Sequence, residues 1–388
     1  MSDPLHDQDR HKAFYSDFTP SLASGRLTID LSAFADNWRF LRDQMSTQDA
    51  DAPECAAVIK ADAYGITLEH AVETLTEAGC RTYFVATPQE ALSGRGLTEA
   101  ADIFVLNGLA PGAASFYRDN RLQPVLNSMP EIHEWAAEGG FYPAALHIDT
   151  GMNRLGLREE EARALAANKA LCQKLNLSLI MSHLACADTP RSLMNGCQLS
   201  SFQAIAGLFP GVRRSLANSA GIFNGAAFHM NLARPGIALY GGAALAIHVG
   251  DNPMKPVVKA EARVLQVRAV KQHESVGYSA AEVVERDCLI AILSVGYADG
   301  YLRRAGSTTR EKGASVFLRG QAAPLVGRVS MDMIAVDVTA IAGVTRGDYA
   351  EVFGPNIPVS VVAGHARTID YEFLTGLGKR YTRHYGPL

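Results

Sequence analysis

The sequence predicts an α/β chain: an N-terminal (β/α)8 barrel followed by a C-terminal, mainly antiparallel β domain. Three observations carry this. Between about residues 56 and 235, short apolar, β-branched runs alternate with Ala-, Leu- and Glu-rich segments of helical period. Eight such runs can be counted, and strands alternating with helices imply a parallel sheet that eight units can close. From about Val257 onward the helical period fades, and runs that alternate or stay apolar are separated by Gly, Asp and Pro. The last two of the eight runs are weakly patterned, so an open sheet is the alternative.

The elements follow in order. Residues 1–25, MSDPLHDQDRHKAFYSDFTPSLASG, are polar and mixed in charge, with no apolar h-region, and are expected to form an exposed, partly disordered arm. GRLTIDLSAFADNWRFLRDQM reads as a strand and then a helix capped by Asp30 or Ser32. That strand lies outside the count of eight and is available to the C-terminal sheet. The eight runs are AAVIK (56–60), TYFVAT (82–87), DIFVLN (102–107), QPVLN (123–127), AALHID (144–149), LSLIMSH (177–183), RRSLANS (213–219) and HMNLARP (229–235). Pieces such as LEHAVETLTEAG and EEEARALAANKALCQKL supply the helices. Composition changes near Gly241–Gly242, which places the barrel over 26–245 and the β domain over 246–388. The β domain is read from KAEARVLQVRAV, DCLIAILSVGY, ASVFLRG, APLVGRVSMDMIAVDVT and DYAEVFG.

Composition narrows the function. The chain has 388 residues, 48% apolar and 20% charged, enough for a large core. A net charge of −4 gives no electrostatic reason to expect nucleic acid or an anionic membrane as partner. No apolar run reaches the roughly 18 residues of a membrane span, and a cytoplasmic location is expected. Six scattered cysteines form no CxxC and read as buried free thiols. His183, Cys186 and Asp188 fall close together, but no second ligand pair follows at zinc-like spacing, so no metal is expected. GxxxxGK[ST] and GxGxxG are both absent.

In a (β/α)8 barrel, chemistry sits at the C-terminal ends of the strands. There this sequence places Lys60, Thr87 with Gln89 and Glu90, Asn107, Asn127, Asp149 with Arg154, His183, Asn218 with Ser219, and Arg234. Each alone has a plain structural use, such as capping a helix. A row of them at one mouth reads as a site. Lys60 ends an apolar strand, where desolvation lowers an amine's pKa and frees it as a nucleophile. The loops after the last two strands, NSAG (218–221) and RPGIALYGG (234–242), are rich in small residues and backbone N–H groups, as a phosphate site requires. A lysine with a phosphate cradle suits either a Schiff-base aldolase or pyridoxal phosphate (PLP) held by the lysine.

Nine stretches resemble the alanine racemase family, whose members use PLP. They are VIKADAYG (58–65), DTGMNRLG (149–156), SHLACAD (182–188), NSAG, RPGIALYG (234–241), SVGYSA (275–280), SVGYADGY (294–301), GRVSMDMIAVDVT (327–339) and TIDYE (368–372). The resemblance implies that Lys60 holds PLP covalently and serves as one catalytic base. Tyr278 is implied as the second base, supplied by the partner of a homodimer. Tyr64, Ser219, Gly236, Ile237 and Tyr371 match the positions around the PLP phosphate, and Asn218 a neighbouring loop position. His183 matches a residue packed on the pyridine ring and Arg234 one that faces the pyridine nitrogen. Arg154, Met331 and Asp332 match positions near the substrate carboxylate and the catalytic phenol, and Tyr297 an entryway tyrosine. The implied activity is interconversion of L- and D-alanine, supplying D-alanine for peptidoglycan.

The residue types suit that chemistry. Inverting a stereocentre needs a base on one face and an acid on the other. Lysine and tyrosine, with ordinary pKa values of about 10, serve only if shifted toward neutrality. A guanidinium, in effect always protonated, donates to a ring nitrogen but hardly gives up a proton. There are four departures from the family pattern: Ile66-Thr67, Ser215, Ser330 and His147, the last where many relatives carry a carbamylated lysine. His147 is expected to be neutral, or separated from Arg154 by an anion or water. The departures keep open a racemase of broader substrate range. A non-catalytic PLP carrier has no need of Tyr278 or of a second domain, and the Cys-containing specificity motif of a related decarboxylase is not found.

Overall fold

Eight apolar runs between residues 54 and 233 form the staves of one barrel in the structure, a computed structural model that describes residues 22–45, 52–139, 142–246 and 252–388. The polar arm, up to residue 21, lies outside the described residues. The chain divides into two compact units, one of residues 31–257 and one made of residues up to Asp30 together with 258–388.

The first strand, β1 (Gly25–Ile29), precedes the barrel. The first stave is β2 (Glu54–Cys55) and β3 (Ala57–Val58), broken at Ala56. It is followed by β4 (Thr82–Val85), β5 (Asp102–Val105), β6 (Gln123–Leu126), β7 (Ala144–His147), β8 (Leu177–Met181), β9 (Arg213–Ser215) and β10 (Leu232–Ala233). Strands β3 to β9 pair in parallel in chain order. β10 pairs in parallel with β2, Leu232 opposite Glu54. The Asn218–Arg234 bridge and the Arg234 N–H to Ala217 C=O bond (2.9 Å) join β9's extension to β10 and complete the ring. The open sheet is therefore not adopted. The last two staves are shorter than predicted, because Asn218 turns the chain into a helix and Pro235 has no N–H for a ladder. The segment expected as one helix over 159–175 is two, Glu159–Ala167 and Lys169–Leu175. Asn168 interrupts it and caps the second by accepting the Leu171 N–H (3.1 Å).

Alternation decides what faces where. Tyr83 on β4 bonds Thr76 (2.8 Å) on the surrounding helix Leu68–Ala78. Its neighbour Phe84 stacks on Phe104 of β5 inside the sheet ring, with centroids 4.9 Å apart.

The second unit is built on β11 (Val258–Val270), whose first seven residues alternate buried and half-buried. β12 (Ser275–Val276) and β13 (Glu282–Val283) pair with each other. β14 (Cys288–Leu293), β15 (Ser315–Leu318), β16 (Gln321–Pro324), β17 (Ile334–Asp337), β18 (Tyr349–Phe353) and β19 (Tyr381–Tyr385) complete the set. The main order is β16-β15-β18-β11-β1-β19, with β14 joining β11 to β17. A bulge between Val264 and Gln266 lets one half of β11 pair with β1 and β18 and the other with β14. β1 thus belongs to this sheet, antiparallel to β11 and parallel to β19. Among the described residues no helix is long and apolar enough to cross a membrane.

Candidate active site

Lys60 stands where the first stave ends. Ala61, Asp62, Ala63 and Tyr64 all follow with φ between 51° and 54°, a left-handed turn without a glycine until Gly65. L-residues pay roughly 1–2 kcal/mol each for that conformation, so neighbours must hold it. Asp62 accepts the Leu68 N–H (2.8 Å), tying the turn to the next helix. Glu90 accepts the Ala61 N–H (2.7 Å). Burial pulls the Lys60 amine below its ordinary value and the Arg154 guanidinium adds to this, while Glu90 opposes them.

The same turn delivers Tyr64 into the barrel unit's interior. Its ring stacks on Tyr240 at 4.4 Å, and the Tyr240 hydroxyl donates to the Val58 carbonyl (2.9 Å). A Cβ on Gly236 would lie 2.6 Å from the Tyr64 hydroxyl, so only glycine lets these two approach. Ser219 Oγ accepts N–H bonds from Gly236 (2.8 Å) and Ala238 (3.3 Å), which leaves its own proton to donate. Asn218 caps the short helix Ser219–Phe223 through the Gly221 N–H (2.9 Å), and Ile237 is buried beside them. The hydroxyls of Tyr64 and Ser219 thus meet around one glycine, a candidate anion cradle. Tyr240, the platform beneath it, was within a motif but carried no signal of that role.

Arg234 is 3% exposed. It donates to Ser215 Oγ and to the Ser182 carbonyl (2.6 Å), and lies over the Phe84 ring. Among the described residues no carboxylate pairs with it. Burial lowers it to about 9, which leaves it protonated near pH 7. His183 is pushed down to about 3 by burial and then by Arg234, so it is neutral. His147 is also neutral, lowered to about 4 by burial, Arg234 and Arg154. Its Nδ1 lies 2.7 Å from Asn127 Oδ1. Asn127 turns its amide N–H groups to the Leu106 and Val125 carbonyls, so its oxygen is the acceptor and His147 Nδ1 carries the proton. Arg154 is exposed. Asp149, five residues before it, accepts the N–H groups of Gly151, Met152 and Asn153.

The remaining candidates belong to the second unit. Tyr278 opens a short turn in which Ser279 and Ala280 have positive φ, and the residue is 68% exposed. Tyr297, Met331 and Tyr371 are also exposed. The loops carrying Tyr297 and Met331 are joined by the Tyr297 N–H to Ser330 and the Ala298 N–H to Met331 carbonyls. Arg380 grips Asp299 with two bonds (2.6 and 2.9 Å) and reaches Asp332 with a third (2.7 Å). Nothing in the sequence signalled that tie, since Arg380 lies 48 residues from Asp332.

One barrel thus carries an amine at the end of its first stave and small-residue loops after its last two, on adjoining staves, the arrangement of a candidate active site. Residues 29–244 match the family model described as the alanine racemase N-terminal domain, and residues 257–385 the alanine racemase C-terminal domain. The chain belongs to the alanine racemase family. It is 46% identical over 374 residues to an alanine racemase of Rhizobium meliloti (strain 1021), covering 94% of this chain and 97% of the relative. It is also 46% identical to a biosynthetic alanine racemase of Agrobacterium fabrum, covering 93% of each. Among solved structures, alanine racemase from Bartonella henselae with covalently bound pyridoxal phosphate superposes with a TM-score of 0.87 at 38% identity, covering 94% of this chain and 99% of that one. The biosynthetic enzyme from Pseudomonas aeruginosa gives 0.87 at 34%, covering 94% and 100%.

Proposed function

We propose that this chain is a cytoplasmic, PLP-dependent alanine racemase that acts as a homodimer and supplies D-alanine for peptidoglycan. The observation that carries this is the juxtaposition, on adjoining staves, of the pKa-lowered Lys60 and the cradle around Gly236. The residues fit PLP: Tyr64, Ser219, Gly236 and Ile237 suit its phosphate, with Tyr371 added by resemblance. His183 and Asn218 flank it, and a buried cationic Arg234 without a carboxylate partner suits its ring nitrogen. When bound, PLP withdraws electrons from the amino acid's Cα and makes the α-proton removable.

Lys60 takes or returns that proton on one face. Its burial favours the neutral amine needed for this work. Tyr278 from a second copy serves the other face. Its exposure supports this, since a side chain left outside its own core is available to a partner. With PLP bound, Arg234 would face the ring nitrogen as a donor that keeps its own proton, which would favour return of the α-proton to Cα. By resemblance, Arg154, Met331 and Asp332 match positions around the substrate carboxylate and the catalytic phenol, and Tyr297 an entryway position.

The test is a panel of L-amino acids offered to PLP-loaded protein, with D-products resolved on a chiral column. Alanine is expected to be turned over fastest. Faster turnover of larger or basic amino acids would establish the broader racemase that Ser215 and His147 allow. PLP retention with no racemisation of any amino acid would make the chain a carrier.

A further inference from the structure

The carboxylate of Glu90 receives three backbone N–H groups. Oε2 accepts from Ala86 (2.8 Å) and Thr87 (3.2 Å), and Oε1 from Ala61 (2.7 Å). The first two bonds belong to the cap of helix Pro88–Leu97, where Thr87 in return accepts the Glu90 N–H (3.3 Å). The third reaches across to another stave. It lands on the first residue of the left-handed turn, next to Lys60.

We propose that Glu90 is a positioning residue for Lys60, its carboxylate anchored on the β4 stave and holding the left-handed turn that aims the lysine. This rests on the reading of Lys60 as a catalytic base. The base of the turn is fixed by Ile59, whose N–H bonds the Phe84 C=O of β4 (2.9 Å) and whose C=O accepts the Ala63 N–H (3.0 Å), whereas the Thr67 N–H to Asp62 C=O bond (3.1 Å) is internal to the turn. The Glu90 bond adds a second tie toward that stave, on the far side of Lys60 and at the first left-handed residue. The requirement is specifically for a carboxylate. Three donors converge on two acceptor atoms, and a glutamine of the same shape must turn an NH2 toward one or two of them. The charged groups acting on the Lys60 amine are Arg154 and Glu90, so Glu90 faces it electrostatically as well as through the backbone.

Two variants of the PLP-loaded enzyme test this, beside Lys60→Ala. Glu90→Gln keeps size and removes one acceptor. Its kcat is expected to fall roughly 100-fold with KM for alanine within about threefold, as for a misaimed base. Glu90→Asp keeps the charge and a capping residue but is one methylene too short to span to Ala61, and kcat is expected to fall about tenfold. If Glu90→Gln does not fold, Glu90→Asp decides. The second readout uses cofactor-free protein: amide hydrogen exchange in 60–65 should speed up in both variants while the other staves keep wild-type protection. Wild-type kcat in the Glu90 variants, with Lys60→Ala inactive, would overturn the positioning role and leave the reading of Lys60 intact. Exchange rising evenly over the whole barrel would also overturn it, since that is loss of stability and not of aim. A fully active Lys60→Ala would overturn both.

Discussion

At Lys60 an amine is held at the end of an apolar stave, beside Arg154, where charge is unfavourable. Lys60→Ala is expected to abolish racemisation and the covalent hold on PLP. Tyr278→Phe is expected to slow both directions by at least about 100-fold while PLP stays bound, as for loss of a general acid–base. Normal racemisation by either variant, read on a chiral column, would reject the two-base assignment. His147 carries a separate expectation. Its pKa falls from an ordinary 6.5 to about 4 in the fold. As pH drops, the unfolded chain takes up this proton first. The His147 contribution to stability is therefore full above about 6.5 and is lost as pH falls toward 4. Between pH 7 and pH 5 the wild type should lose about 2 kcal/mol more than His147→Asn in urea unfolding of the cofactor-free protein. Parallel losses in the two proteins would show that the imidazole is not held neutral.

Among the elements, the loop 234–242 and the turn 61–64 are fitted to each other. Gly236→Ala pushes a methyl group against the Tyr64 hydroxyl, and Tyr64 cannot retreat because Tyr240 lies behind it. PLP affinity is expected to fall about tenfold or more, measured by absorbance titration, with about 1–3 kcal/mol lost from stability as for other overpacked sites. Unchanged affinity would place the phosphate elsewhere. The staves were legible in the sequence because apolar runs and helical period alternate, and the row of polar residues at their ends was legible from that alone. The left-handed turn was not. Ala61-Asp62-Ala63-Tyr64 has the propensity of an ordinary helix start, and one of its holds comes from Glu90, 29 residues away. The break at Asn168 was missed for a different reason: the apolar period runs through it, and only the cap chemistry of asparagine marks the stop. Individual roles at the mouth came from the family motifs, since a buried histidine or arginine carries no pattern that names its partner.

For the molecule as a whole, the exposed Tyr278 has a direct test. Lys60→Ala and Tyr278→Phe are each expected to be inactive, yet mixing them after subunit exchange should restore part of the activity, because a hybrid pair has one site with both bases. No recovery despite proven exchange would place Tyr278 in its own chain's site or show that the hybrids are impaired. The path of the chain has another consequence. β1 lies between β11 and β19, and Ile29 stands opposite Val258 in register. The barrel is thus a 227-residue insertion, 31–257, spliced into a β domain whose cut ends are neighbours. Genetically, the loop-out should be simple: join residue 29 to residue 258 through an Asn-Gly turn, as in a two-residue hairpin. The shortened gene, 22–29 plus 258–388, is expected to yield a folded domain by circular dichroism and cooperative melting. A gene for 258–388 alone should yield an aggregating product, since it leaves β11 and β19 without the strand that separates them. Equal folding of both products would show that β1 is dispensable to the sheet it occupies.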